Sequence, residues 1–426
     1  GIDLFLEKLV QETEKEHEDI LEQADETDAV FGELYSWYLR NPEYRSRIQK
    51  LVQSAFAGKP KDIISQSVAK ALYGEVSPYS ATRLERFAAC AFAHFLQYGM
   101  KLTERVEYEF KPMDMGNVMH EALESFAEEV RKRGMKWTEL TEQERNEIAD
   151  RCLDNIVADY GNTVLKSSAR NEYMIERTRR ILRRTVWALQ KQLEQGEFQP
   201  EGFEVTFGGG RIDRVDIMED QNKVYVKVID YKTGNTSFDL VYLYHGLQLQ
   251  LMIYLDGALR VEQKKYPDKE IIPAGVFYYN IKDPMIQEKI DADVEAVSAG
   301  LMKELKMNGL VQADPELVYR MDSSLGSIPV AFNKDGNFRK NSSVADRTQF
   351  AVLGRYVRTK IEKIRSSILE GDAEVSPYEL GKKNACTYCP YMTVCGFDRR
   401  LSGYEFRRLK NFSDEELWKA FDREAE

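Results

Sequence analysis

Three short segments bring together side chains that could do chemistry. Gly210-Arg211-Ile212-Asp213-Arg214-Val215-Asp216 and Asp230-Tyr231-Lys232 supply carboxylates and an ammonium, and Gln250 and Tyr254 follow four residues apart. If the first two segments lie on adjacent antiparallel strands, Asp213 and Asp230 sit side by side at the end of a sheet. Side chains two apart on a strand share a face, so Lys232 joins Asp230 there. Gln250 and Tyr254 share one helix face and can line the same cleft. Such a charged patch is a costly way to build a core unless the charges are paired or metal-bound. Oxygen ligands suit Mg²⁺ or Mn²⁺. That ion lowers the pKa of a bound water and stabilises the extra charge of a five-coordinate phosphorus transition state. Lys232 would then position or deprotonate the attacking water. The ordinary alternative is a solvated Asp–Lys pair, since Asp-x-Lys is a common tripeptide. His120, on a helix upstream, can complete a metal site, although a lone helical His is more often structural. Glu204 is a further, weaker carboxylate. Asp216 lies three residues past Asp213 and points to the other sheet face.

These residues need a sheet with helices against it, and the hydrophobic pattern provides one. Residues 31–75 read as helices, with Phe31, Leu34, Trp37 and Tyr38 at helical spacing. Ser77-Pro78-Tyr79-Ser80 is a break, followed by a helix starting near Ser80 or Thr82 with Leu84, Phe87 and Cys90 on one face. Three more helices are predicted at 115–133, 140–160 and 170–195. The last carries Arg177, Arg179, Arg180, Arg183 and Arg184, which read either as a solvated face or as a strip tracking phosphates. After Pro200 the period changes to two, predicting strands at Phe203–Phe207, Arg211–Ile217 and Val224–Ile229. Gly208-Gly209-Gly210 and Glu219-Asp220-Gln221-Asn222 are the turns between them. A helix over 239–258, a strand at Gly275–Ile281, an irregular stretch over 306–345 and a long helix over 346–370 complete the order. The expected class is α/β, a mixed central sheet flanked by helices.

The cysteines form a second constellation. Cys386-x2-Cys389-x5-Cys395 clusters near the end, while Cys90 and Cys152 stand alone. Such a cluster binds a metal or metal cluster more readily than it forms disulfides, and spacing alone leaves zinc and iron–sulfur both open. Cys152 reads as a small buried apolar residue.

The chain has 426 residues and a formal charge of −11, which at first argues against a nucleic-acid partner. The charge is not evenly spread. Residues 1–30 hold −9 and residues 413–426 hold −4, leaving 31–412 at +2. The acidic arm reads as a linker or partner contact. No run of 18 or more apolar residues occurs, and the N-terminus lacks a signal peptide, so no membrane span is expected and a cytoplasmic location is. The missing initial Met reads as a fragment of a longer protein, with Gly1 a tag remnant.

Together, the Gly-Arg-Ile-Asp-Arg-Val-Asp and Asp-Tyr-Lys-Thr-Gly segments and Leu247-Gln248-Leu249-Gln250-Leu251-Met252-Ile253-Tyr254 resemble the RecB-type branch of the PD-(D/E)XK nuclease superfamily. Within it, the nuclease region of AddB/RexB-type subunits of helicase–nucleases is most similar. Residues 77–90 look like that family's entry to its nuclease domain and 386–398 like its exit. The resemblance implies catalytic roles for Asp213, Asp230 and Lys232, an accessory pair in Gln250 and Tyr254, and metal ligation by His120, with Glu204 less securely matched. It also implies a 4Fe-4S cluster on Cys90, Cys386, Cys389 and Cys395, stapling the ends of the domain, and DNA contacts that Arg177, Arg180 and Arg184 could supply. Residues 1–75 would be a linker or the end of a helicase-like region, 76–400 the nuclease domain and 401–426 an acidic helical tail. The implied activity is Mg²⁺-dependent exonuclease action on single strands from DNA double-strand breaks, beside an AddA-type partner. No Gly-x4-Gly-Lys-Ser/Thr phosphate loop occurs, in keeping with ATP hydrolysis by the partner. A nuclease-silent DNA-end-binding module and a stand-alone exonuclease of the CRISPR-associated type are the alternatives.

Overall fold

The structure is a computed structural model that describes residues 26–55, 63–74, 80–103, 112–159, 168–208, 210–286, 293–401 and 403–425. The acidic arm up to residue 25, the break at Ser77-Pro78-Tyr79 and Gly209 of the glycine turn lie outside the described residues.

Helices α1 (Glu26–Arg40), α2 (Pro42–Ala55) and α3 (Gln66–Tyr73) come first, then α4 (Ala81–Ala89). The Ser80 hydroxyl accepts from the Arg83 N–H at 3.4 Å and starts α4, and Cys90 ends it in an extended conformation rather than continuing the helical face. Next are α5 (Pro112–Lys132), α6 (Glu142–Asp159) and α7 (Ala169–Glu194). Their buried residues recur at helical spacing, as in Met119, Leu123 and Phe126 or Ile148, Cys152 and Ile156.

The sheet follows, with β1 (Gln199–Phe207), β2 (Gly210–Asp220) and β3 (Lys223–Lys232) in an antiparallel meander. The helix expected over 239–258 is split. A turn of helix at Leu240–Tyr244 stops before Gly246, at φ +77°, and α8 runs from Gln250 to Lys265. Strand β4 (Glu270–Asn280) lies parallel to β3 and starts earlier than the pattern suggests. Helix α9 (Val294–Glu304) precedes the stretch expected to be irregular. That stretch instead contains β5 (Asn308–Gln312), α10 (Pro315–Met321) and β6 (Val344–Ala345). The start of α10 had a readable signal, because Asp314 caps it and Pro315 occupies the first turn. The sheet order is β1-β2-β3-β4-β5-β6, with β3/β4 and β5/β6 parallel and the other pairs antiparallel. The long helix α11 (Arg347–Glu370) begins at an Asp346/Gln349 capping box. It ends at Gly371, φ +92°, where a Cβ would lie 2.0 Å from the Ile64 carbonyl oxygen. Strands β7 (Tyr378–Leu380), β8 (Lys383–Asn384) and β9 (Arg407–Arg408) form a small sheet, and α12 (Asp414–Ala425) closes the chain.

One face of the main sheet packs on α5, α6 and α7, the other on α3, α4, α8, α11 and α12. The tail helix is part of that second core through Leu417, Ala420 and Phe421. This is the mixed α/β sandwich that the sequence pattern predicts.

Candidate active site

Asp213 and Asp230 lie at the ends of β2 and β3. The register Val215↔Val228 and Arg214↔Ile229 leads directly to them as the strands part. On β1, the pairs Phe203↔Arg214 and Val205↔Ile212 put Glu204 across from Asp213. Glu204 has φ +49°, a left-handed conformation that costs a non-glycine residue about 1 kcal/mol or more. Helix α5 delivers His120 over the strand ends. Its Nδ1 is 3.4 Å from Asp213 Oδ2 and 3.9 Å from Glu204 Oε1. Ligand atoms of His120, Glu204 and Asp213 all fall within 4.8 Å of one another, the one such gathering of three among the described residues.

Asp230 Oδ2 pairs with Lys232 Nζ at 2.7 Å. That ammonium donates to Gln250 Oε1 at 2.8 Å and lies 5.5 Å from the centre of the Tyr278 ring. Gln250 Nε2 in turn donates to the Tyr254 hydroxyl at 2.8 Å. Asp213 Oδ2 accepts the Tyr231 N–H at 2.7 Å, which ties the two strand ends together. The structure therefore brings His120, Glu204, Asp213, Asp230, Lys232, Gln250 and Tyr254 into one constellation. Three participants carried no local signal in the sequence. Arg211 pairs with Glu204, Tyr278 underlies Lys232, and Glu85 on α4 accepts the N–H groups of Leu249 and Gln250 at 2.7 and 3.0 Å.

Burial dominates the electrostatics of the site. Burial, with Asp230 close by, pushes Asp213 up to about 7. Burial also raises Asp230, against the pull of Lys232. Burial works to lower the pKa of His120, but Glu204, Asp213 and Asp230 outweigh it and raise it. Crowded, desolvated carboxylates of this kind hold protons unless a cation takes their place. The Glu204 and Asp213 oxygens are donors that a hard divalent ion accepts, and the His120 imidazole adds a nitrogen donor of borderline softness.

The cysteine end is separate. Cys90 is buried with Ala93, Leu96 and Tyr391, and Cys389 packs against them. The backbone N–H groups of Ala93, Ser376 and Phe92 face the Cys90 sulfur, opposing the upward pull of burial on its pKa. Burial pushes Cys386 up to about 11, and the proximity of Cys90, Cys389 and Cys395 adds to it. Cys90, Cys386, Cys389 and Cys395 share this end of the molecule, and none of the five cysteines is in a disulfide. Cys152 stands apart in the core formed by α5 and α6, its thiol raised to about 11 by burial.

The arginines of α7 divide. Arg179 pairs with Asp150, Asp154 and Glu176, and Arg183 with Asp150. Arg180 pairs with Asp283 at 2.6 Å, Arg184 lies over the Trp187 ring, and Arg177 is exposed.

Residues 78–396 match the PD-(D/E)XK nuclease superfamily. Over 94% of its length the chain is 41% identical to the B subunit of the ATP-dependent helicase/deoxyribonuclease of Lachnoclostridium phytofermentans, covering 36% of that protein. It is 34% identical over 94% of its length to the corresponding B subunit of Thermoanaerobacter sp. (strain X514), covering 37% of it. It is 34% identical over 93% to that of Alkaliphilus metalliredigens, again covering 37%. The chain thus spans about a third of the length of these curated relatives.

Proposed function

The chain belongs to the PD-(D/E)XK nuclease superfamily, and from that membership we propose that it is the metal-dependent DNA exonuclease region of the B subunit of a helicase/deoxyribonuclease. Its substrate would be single strands released at DNA double-strand breaks during recombinational repair. Residues 76–400 would form the nuclease domain, 1–75 a linker or the end of a helicase-like region, and 401–426 a tail. The partner would be an AddA-type helicase–nuclease chain in the cytoplasm, and Arg177, Arg180 and Arg184 would meet phosphates. One observation carries the reading: the His120, Glu204 and Asp213 ligand atoms gather within 4.8 Å, with Asp230 and Lys232 beside them on the next strand.

His120, Asp213 and Asp230, with Glu204, would hold Mg²⁺ or Mn²⁺, which supplies Lewis acidity to the phosphodiester and a more acidic bound water. The chain's own residues do the positioning. The Tyr231 N–H fixes the Asp213 carboxylate at 2.7 Å. Lys232, held at 2.8 Å by Gln250, keeps its ammonium at the strand end, where it orients a water and offsets negative charge on the phosphoryl oxygens. Tyr254 fixes the rotamer of Gln250 through the hydrogen bond at 2.8 Å. Cys90, Cys386, Cys389 and Cys395 would carry a 4Fe-4S cluster that joins residue 90 to the segment some 300 residues later.

Cleavage of end-labelled single-stranded DNA with Mg²⁺ tests the proposal. The wild type should cleave, and Asp230→Ala should be slower on the order of a hundredfold or more. Equal rates would sink the assignment. For the cluster, anaerobically purified protein should be brown, with broad absorbance near roughly 400 nm. Stoichiometric zinc in colourless protein would replace the iron–sulfur reading with a zinc one.

A further inference from the structure

Helix α8, which presents Gln250 and Tyr254, begins without a cap of its own. Its N-cap position is Leu249, whose side chain offers no hydrogen bond. The first N–H groups of a helix need acceptors from outside it. They are met by Glu85, 164 residues earlier in the chain, whose Oε1 takes the Leu249 N–H at 2.7 Å and the Gln250 N–H at 3.0 Å.

Glu85 sits on a helix whose far end belongs to the cysteine cluster. Cys90 terminates α4. Arg86, the next residue after Glu85, lies over the Tyr391 ring at 5.6 Å and 4.0 Å from Cys389 Sγ. The turn leading into α8 approaches the same helix closely. A Cβ on Gly246 would lie 3.3 Å from the Ala88 Cβ, and φ there is +77°. Helix α4 is therefore held at one end by the cysteines and along its side by the entry to α8. Burial pushes Glu85 up to about 7, against the pull of the two N–H groups and of Lys232. Burying a carboxylate is costly, and here its contacts are the start of α8.

We propose that Glu85 is a positioning residue for the nuclease, capping α8 from outside so that Gln250 holds Lys232 against Asp230. The same contact links the cysteine-bearing helix to the reacting end of the sheet. This rests on the nuclease reading above. Glu85 also feels the charges of Lys232 and Asp230, so its loss acts on how Lys232 is held and on the field around it, and not on how DNA is bound.

The test compares wild type, Glu85→Ala, Glu85→Gln and Asp230→Ala in the 426-residue protein with Mg²⁺, measuring kcat, KM for single-stranded DNA and backbone hydrogen exchange over residues 247–256. Glu85→Ala should lower kcat by about tenfold to a hundredfold, the usual consequence of a misplaced catalytic group. Its KM should stay within about twofold, and exchange at Leu249 and Gln250 should speed up. Glu85→Gln keeps a carbonyl acceptor for both N–H groups, so kcat should stay within about threefold of wild type and exchange should be unchanged. Two results overturn the proposal: wild-type exchange at Leu249 and Gln250 in Glu85→Ala, or a loss in Glu85→Gln as deep as in Glu85→Ala. An Asp230→Ala protein as active as wild type would overturn the nuclease reading and the catalytic half of this proposal. The exchange rates would then uphold or overturn the cap by themselves.

Discussion

Strands β2 and β3 carry two buried charge clusters back to back, and they are opposites. On one face Asp213 and Asp230 crowd together with Glu204 across from them, and both aspartates are pushed upward in pKa by burial. On the other face Arg214, Asp216 and Lys227 form a compensated triad. Arg214 Nε and Nη2 reach the two Asp216 oxygens at 2.5 and 2.9 Å, and Lys227 Nζ pairs with Asp216 Oδ2 at 2.9 Å. Aromatic rings line that pocket. The Arg214 guanidinium lies 5.6 Å from the Trp137 ring and 5.7 Å from Phe203. Burial alone would raise Asp216, but its two cations hold it below the ordinary carboxylate range. The two clusters are one residue apart in sequence, at Asp213 and Arg214, and strand alternation sends them to opposite faces. A buried carboxylate such as Asp216, held down by two built-in cations, belongs to the scaffold. One left to share a space with other carboxylates is a place for a cation from solution.

The largest effect should come from removing charge on the two faces in turn. Asp216→Ala strands two buried cations, and breaking a buried pair this way costs about 3–5 kcal/mol in urea unfolding. Asp213→Asn should do the reverse. Its side-chain oxygen can still accept the Tyr231 N–H, and one of the crowded carboxylates is gone. Its unfolding free energy without metal should stay within about 1 kcal/mol of wild type or exceed it, while DNA cleavage is lost. If the two substitutions destabilise equally, the contrast between the faces is wrong.

The sequence carried the carboxylates better than it carried what holds them. Asp213, Asp230 and Lys232 were legible because strand alternation is local, and Gln250 with Tyr254 because helical spacing is. His120 gained its place only from the family pattern, since nothing within α5 says which strand end it will cover. Glu85 was invisible for a physical reason. Its partners are backbone N–H groups 164 and 165 residues away, and a backbone group has no sequence signature. The left-handed φ of Glu204 is likewise imposed by the sheet around it. The break in the helix over 239–258 was hidden because apolar residues continue through Gly246 to Leu251, and periodicity cannot see a turn that keeps the same face buried. In 306–345 the strands are five and two residues long, too short for a period to register. The arginine run of α7 reads uniformly in sequence, yet Arg179 and Arg183 are taken by carboxylates of α6. That assignment needed the packing of two helices.

A smaller effect extends the comparison to a third way of handling buried charge, which is to shed it. His94 is fully buried among the rings of Tyr73, Phe87 and Tyr98. Arg83 Nε donates to its Nε2 at 3.2 Å, which requires a lone pair on that nitrogen and so a neutral ring. Burial, helped by Arg83 and Arg86, drops its pKa from 6.5 to about 3. Between those values the unfolded chain binds a proton that the folded protein refuses. The stability this provides is therefore complete above pH 6.5 and drains away as pH falls toward 3. One such group is worth about 2 kcal/mol between pH 6.5 and 5. His94→Gln keeps an acceptor for Arg83 but cannot titrate, so its unfolding free energy should fall less steeply over that interval. The strand-end carboxylates titrate in both proteins and cancel from the difference. Equal slopes would mean that the fold accommodates a charged His94 after all, and that Arg83 turns away from it below pH 6.5.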